Sequence, residues 1–358
     1  MKSESVAKAR IGYLGFSEDC SHIGDRRRFA CYAKIRGIDL RYDTSSDLDI
    51  LVVTPLRDLR KILRTVTRRT NLVLDLVDGY LHEKPGFIKD FGRGILRNSS
   101  TNLKGLSRYS DSLIEFISQS NTVVVGTVEQ AEIVRKINPM ARVHVILDYH
   151  HEIQAIDSNQ NRRLSQNSGK RFLWEGQSTN LKHLLGEIDN LLYEDGADSL
   201  SIVTNLEHYR IANKYLKVKS KNYLHARIRR VDARRKIKLV KWSPENLYSS
   251  ALEASVAIIP IDLSDRFALA KPENKLLIMW RLGLPTFVSP TPAYSRVLTD
   301  LNLTHYLVHG DWSEIPNLQE IQSNWEEDSR VVRSYLDDYY SRQAISRRWD
   351  LALSEIKD

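Results

Sequence analysis

Two lysines and an asparagine crowd around one proline in the run KPENKLLIMWRLGLPTFVSP, residues 271–290. Pro272 suits the first turn of a helix, where its missing N–H has no partner to lose. Leu276, Leu277 and Trp280 then recur at helical spacing, Gly283 ends the helix and Pro285 follows, so PTFVS reads as the next strand. A helix N-terminus presents free N–H groups and the positive end of the helix dipole, and both favour an anion. Lys271 and Lys275 therefore stand at the electrostatically wrong end unless a negative ligand lies between them and those groups, with Asn274 as a further donor. The plain alternative is that both lysines are solvated and pair with Glu273 or Asp265. The chemistry expected of this stretch is the gripping of a phosphate.

Other residues of chemical type stand just beyond apolar runs. Gly176 follows RFLWE and permits close approach of a ligand to the backbone; Asn180, a few residues on, either meets that ligand or only caps a helix. Trp242 ends IKLVKW, where a planar ring can stack on a base or fill the core. In the first half, IGYLGF runs into SEDCSHIGDRRRF, and His22 or Asp25 is a candidate general base for a hydroxyl proton, with helix capping as the alternative for Asp25. Arg26 and Arg27, in a cluster with Arg28, suit an anionic acceptor or a donor phosphate, or form an exposed helix face. NLVLDLVDGYLHE adds Asp75, Asp78 and His82; Asp78 is the better base because it lies beyond the apolar run, while Asp75 caps or pairs locally. His150 and His151 lack further ligands, and Cys20 and Cys31 form no CxxC pair, so neither a metal site nor a disulfide framework is expected.

The elements that must position these groups are strands alternating with helices. ARIGYLGF, LDILVVTP, NLVLDLVD, NTVVVGT and ARVHVILD read as strands, with RRRFACYAKIRG and VEQAEIVRKINP as helices stopped at Gly37 and at Asn138–Pro139. After a polar stretch without periodicity the alternation restarts in RFLWEG, NLKHLLGEIDNLL, DSLSIVT, IKLVKW, ASVAIIPI and PTFVSP, and SRVVRSYLDDYYSRQAISRRWDLALSEI reads as one or two closing helices. The expected fold class is α/β: two Rossmann-like parallel-sheet domains, residues 1–155 and 171–334, a linker at 156–170, and the end of the chain, 335–358, packing back on the first domain. Such domains bind ligands outside the carboxyl ends of their strands, here in a cleft where the two sheets face each other.

The 358 residues suffice for two cores, and 42% apolar with 27% charged residues excludes disorder and coiled coil. No apolar run approaches a membrane span and the N-terminus lacks a signal-peptide pattern, so a cytoplasmic protein is expected. A net charge of +8 fits an anionic partner, and its clusters at 26–28, 60–69 and 225–238 permit peripheral contact with an anionic membrane. No RNA-binding or helix-turn-helix signature accompanies the charge, so nucleic acid is not expected.

The strand ASVAIIPI, then KPENK, a helix ending in LGLPTFVS and TPAYSRVL after it resemble the donor-binding segment of GT-B glycosyltransferases, those of glycosyltransferase group 1 or family 4. The stretches 123–152 and 171–184 are similar to the segments that close the first domain and open the second, while residues 1–110 match in pattern only. The resemblance implies that Asn274, Lys275 and Ser289 face the phosphate of a nucleotide-activated sugar, and that the other domain holds a glycan or lipid-linked acceptor. It implies a transferase of surface-polysaccharide or glycoconjugate biosynthesis, needing no cofactor and, with lysines and a helix dipole carrying the charge, no metal. One departure stands out. Retaining members carry two glutamates eight positions apart, and alignment on Lys275 and Gly283 puts Ile278 and Ala270 there, with Glu273 as a displaced substitute. A nucleotide-sugar epimerase on the same fold and a non-catalytic sugar-nucleotide or nucleic-acid binding protein are the alternatives. A dehydrogenase is disfavoured because GYLGF lacks the GxGxxG spacing.

Overall fold

The computed structural model describes residues 9–42, 47–77, 79, 81, 90–94, 108–156, 169–194, 197–211 and 215–354. The runs ILVV, LVLDL and TVVV are buried along their whole length, as strands covered on both faces of a parallel sheet must be. The first sheet comprises β1 Ile11–Leu14, β2 Leu40–Arg41, β3 Ile50–Val53, β4 Asn71–Leu76, β5 Thr122–Val125 and β6 Arg142–Val145. Its order is β2-β1-β3-β4-β5-β6, parallel throughout. The five strands read from the sequence are present; β2, at two residues, is too short to show a period.

The helix expected over RRRFACYAKIRG is two helices, α1 Ile23–Arg27 and α2 Phe29–Arg36. They break at Arg28, whose backbone leaves the helical region while its side chain enters the core. Gly37 ends α2 at φ 66°, a left-handed conformation that costs a side-chain-bearing residue about 1–2 kcal/mol. On the far side of the sheet's sequence, α3 Tyr109–Gln119 and α4 Val128–Ile137 follow, the latter capped by Thr127. Asn138 stops α4 and ties it to α3 through bonds to Ile117 O and Ser120 O.

The second sheet holds β7 Arg171–Glu175, β8 Ser199–Thr204, β11 Ile237–Lys241, β12 Val256–Ile259 and β13 Thr286–Val288 in the parallel order β11-β8-β7-β12-β13. An antiparallel hairpin, β9 Glu207–Ile211 and β10 Tyr215–Lys219, is an addition the sequence reading passed over, because its alternation is weak and crowded with charge. The helix expected over NLKHLLGEIDNLL is also broken, into α5 Leu181–Leu185 and a π-helical turn at Asn190–Glu194, with Gly186, a poor helix former, at the break. Then come α6 Ser220–His225, α7 Val231–Lys236 and α8 Asn274–Arg281, and α8 ends before Gly283 at φ 75°. The closing stretch forms Leu318–Tyr335, a π turn, and α9 Arg342–Ser354.

The chain divides into two compact units. One is Met1–Tyr149 with Ala270–Pro272 and Asp338–Asp358; the other is His150–Leu269 with Glu273–Asp337. Most of the expected linker, 157–168, lies outside the described residues. In the first unit α9 buries Trp349 completely against Phe29 and Tyr32, at ring separations of 5.1 and 6.0 Å. Strand order reverses direction between β1 and β3 in the first sheet and between β7 and β12 in the second. At such switch points the flanking connections leave in opposite directions and open a crevice at the carboxyl edge. Loops 15–22 and 54–58 border one crevice, and loops 176–180 and 260–273 the other.

Candidate functional site

The second unit's switch point gathers charge. Lys275, in the first turn of α8, donates from Nζ to Glu175 O at 2.8 Å, stands 4.0 Å from Glu175 Oε2, and lies over the Trp174 ring at 5.1 Å. The anion that a lysine at a helix N-terminus requires is thus partly supplied by the protein: Glu175, not Glu273 or Asp265, stands beside it. A lysine side chain that keeps 26% of its surface still reaches solvent. Burial pushes its pKa below the usual lysine value, and Glu175 opposes that shift. Gly176 makes room for this ammonium, since a Cβ there would lie 2.5 Å from Nζ and 2.8 Å from the Trp174 ring. The close approach expected of a ligand at Gly176 is made by a lysine.

Glu175 also accepts the indole N–H of Trp242 at 2.9 Å, across the one intervening strand β8, which holds the half-buried Trp242 at the carboxyl edge. Asn274 opens α8 with Oδ1 buried and without a hydrogen-bond partner, so the group missing at this point is a donor. Glu273, at the N-cap and almost fully buried, accepts from Arg296 at 3.3 Å. Burial, with Glu273 and Glu175 nearby, raises the Tyr294 hydroxyl well above its ordinary pKa. Asn180 precedes α5 without capping it through its side chain. Lys271 is half-buried and groups with the first unit, unlike Asn274 and Lys275.

A second group lies beside a cavity of about 370 Å³, lined among others by Lys182, His183, Glu187, Asp262, Ser289 and His309. Lys182 pairs with Asp265 at 2.5 Å. Burial alone would raise the Asp265 carboxyl, but Lys182, the Ala268 N–H and His183 outweigh it and hold it below the usual range. His183 accepts the Asp262 N–H at Nδ1 (3.2 Å), so its neutral ring carries the proton on Nε2, 3.8 Å from Asp265. Ser289 reaches the cavity with its Oγ accepting from Ile261 N at 2.8 Å.

Sequence reasoning missed Lys182, Glu175 and Arg296, since single charged residues carry no spacing signal. Asp265 and Glu273 stand eight positions apart, whereas Ile278 and Ala270 are buried apolar residues. Each stands five residues before the position, Ala270 or Ile278, that alignment on Lys275 and Gly283 assigns.

In the first unit Asp25 is fully buried and accepts from Tyr13 OH (2.6 Å), Phe16 N (2.8 Å), Ser17 N (2.9 Å) and Ser17 Oγ (3.1 Å). This corrects the expectation of a base: its lone pairs are taken and it has no solvent face. It shapes the loop instead. His22 caps α1, accepting the Gly24 N–H at Nδ1 (3.1 Å) and stacking on Phe16 at 4.8 Å. In that arrangement Nε2 is a donor, which also removes His22 as a base at that nitrogen. Arg26 is exposed and Arg27 half-buried. Arg28 differs from both: it is buried against Asp75 (2.9 and 2.5 Å), Asp148 (2.9 Å) and Ile146 O (2.9 Å). Burial raises the Asp75 carboxyl, Arg28 opposing, so Asp75 is a structural partner, but of a residue 47 positions away where local capping or pairing was expected. Asp78 and His82 lie outside the described residues. Arg57, unnoticed in the sequence, donates from Nε to Gly15 O.

No protein-family model and no curated protein sequence matches the chain. Solved structures do. A mutant of TarM from S. aureus in complex with fondaparinux, α-GlcNAc-glycerol and UDP matches 92% of this chain at a TM-score of 0.57 and 12% identity. HepE from Anabaena in complex with UDP-glucose matches 97% of this chain and 100% of its own length at 0.56 and 12%. The fold is that of the GT-B glycosyltransferases. Sucrose-phosphate synthase from Thermosynechococcus elongatus, at 0.56 and 11% over 92% of this chain and 76% of its own, is similar in the same way. The chain spans 58% of the TarM chain's length. At these identities the likeness establishes the GT-B fold, and the reaction has to be argued from the site.

Proposed function

We propose that the chain is a glycosyltransferase that moves a sugar, a hexose or a related one, from a nucleotide-sugar donor to a hydroxyl of a glycan or lipid-linked acceptor. Bacterial surface-polysaccharide or glycoconjugate biosynthesis is the setting that suits such an acceptor. The observation that carries the reading is the convergence of Lys275, Lys182 and the N-terminus of α8 on loops 176–180 and 260–273, at the switch point between β7 and β12. Positive groups there suit a diphosphate leaving group, whose developing charge they stabilise without calling for a metal ion in the proposal. Asn274 Oδ1, which lacks a donor, suits a hydroxyl of the ribose or sugar. Asp265 and Glu273 are proposed to orient the sugar and ribose, the acid pair standing at the spacing that retaining relatives use.

The second unit then holds the donor and the first the acceptor. Arg26 and Arg27 are proposed to meet an anionic part of the acceptor. With Asp25 enclosed and His22 turned donor, Asp78 is the proposed base among the three carried from the sequence. The test is incubation with a panel of nucleotide sugars, with and without acceptor glycans, read as product formation and thermal shift. Transfer that depends on acceptor supports the proposal. Conversion of the donor without acceptor favours an epimerase, and no nucleotide-dependent thermal shift overturns both.

A further inference from the structure

The connection from β8 to β11, both adjacent in the second sheet, carries charge out of proportion to its length. Residues 217–241 contain eleven lysines and arginines against Asp232, a net of +10, in a chain that totals +8, so all the remaining residues together sum to −2. The basicity of this protein is therefore a property of one corner of one unit: β10, α6, α7 and the edge strand β11. An even distribution would have been the mark of a merely soluble surface.

Part of this charge is structural. Arg234 donates to Ile228 O from Nε (3.1 Å) and Nη2 (2.7 Å), and Lys236 to Leu192 O (3.0 Å) and Ala197 O (2.7 Å). Lys217 pairs with Glu207 at 2.5 Å and Lys238 with Glu253 at 2.6 Å. Arg227 lies over the Tyr223 ring at 3.9 Å and donates to Tyr223 O at 3.3 Å. What remains is exposed: Lys219, Lys221, Arg229, Arg235 and Lys241 have no carboxylate partner among the described residues. Two apolar side chains stand out on the same connection, Val231 at 58% exposure, directly after Arg229 and Arg230, and Leu206 at 43%. Among the described residues of this connection no aromatic ring is among the exposed large side chains.

We propose that this surface docks on an anionic lipid bilayer, with the cations at the headgroups and Val231 and Leu206 pressed into the interface. Unpartnered cations complement a negative surface potential, and small apolar side chains between them gain by leaving water for the acyl boundary. Single-stranded nucleic acid would instead call for exposed rings on which bases stack. The proposal goes beyond sugar transfer, because a bilayer would hold the chain whatever its donor.

The test uses the full chain and co-sedimentation with vesicles of phosphatidylcholine, alone or with about one-third phosphatidylglycerol. Wild type is expected to bind only the anionic vesicles, and less as salt rises. Each basic side chain near such a surface contributes roughly five-fold in partition, so the triple variant Lys221→Glu, Arg229→Glu, Arg235→Glu should lose at least about a hundred-fold. These three side chains make none of the internal bonds named above, and the thermal shift with a nucleotide sugar should be unchanged in the variant. That separate readout distinguishes failure here from failure of the transferase reading. Equal binding to neutral vesicles, undiminished binding by the variant, or a single-stranded oligonucleotide that binds this surface and is lost with it while vesicles are ignored would each overturn the proposal.

Discussion

Lys275 stands beside an anion of the protein itself, Glu175, and not beside Glu273 or Asp265. The helix dipole demands an anion beside it, and Glu175 meets part of that demand from within the protein. Lys275→Ala should therefore weaken nucleotide-sugar binding without unfolding the protein, as measured by titration calorimetry beside a thermal melt; retained affinity would remove Lys275 from the donor site. The pH dependence follows from the depressed pKa. Above the folded value and below about 10.4 the unfolded chain holds a proton that the folded chain has released, so stability rises with pH in that window. Nucleotide affinity runs the other way, since the released proton takes the attractive charge with it. Comparing wild type with Lys275→Met from about pH 7 upward checks both signs, because the variant should show neither slope. Arg28 is a different residue-scale case, a buried cation held by Asp75, Asp148 and a carbonyl. Arg28→Met leaves Asp75 buried without its partner and is expected to cost about 3–5 kcal/mol in urea denaturation. A change below about 1 kcal/mol would mean that water replaces the guanidinium.

At the scale of elements, long apolar runs and glycine stops were readable because they depend on local geometry. The stops at Gly37 and Gly283 coincide with positive φ, a requirement that glycine alone meets without strain. The break at Arg28 was not readable, because its cause lies elsewhere in the chain, whereas Gly186 marks the other break locally. Arg28 interrupts its helix to reach Asp75, 47 positions away. The closing helix α9 carries its own prediction. Trp349 is fully buried and packs on the Phe29 and Tyr32 rings of α2, so Trp349→Ala should cost about 3–5 kcal/mol in denaturant unfolding, with m-values compared to detect a loss of cooperativity.

At the scale of the whole molecule, two units with separate cores permit one to be stabilised by a ligand the other does not touch. Hydrogen exchange on the intact chain should show protection on adding nucleotide sugar in peptides covering 171–185 and 256–289. Protection confined to peptides of 11–76 would place the donor in the wrong unit and overturn the assignment. Among the described residues no helix is long and apolar enough to cross a membrane.

The sequence by itself determined the longer apolar strands, the glycine stops and the class of fold, though not β2 or the β9–β10 hairpin, because apolar periodicity and backbone permissiveness act within a few residues. It also located KPENK at the carboxyl edge of a parallel sheet, since a strand followed by a helix can be placed without knowing its neighbours. Only the tertiary structure decided who pairs with whom. Glu175 and Lys275 are 100 positions apart, Lys182 and Asp265 are 83 apart, and no local pattern links such residues. Asp25 looked like a base because its type and its loop were right; folding buried it under four hydrogen bonds, and a carboxylate so enclosed is an organiser of the backbone.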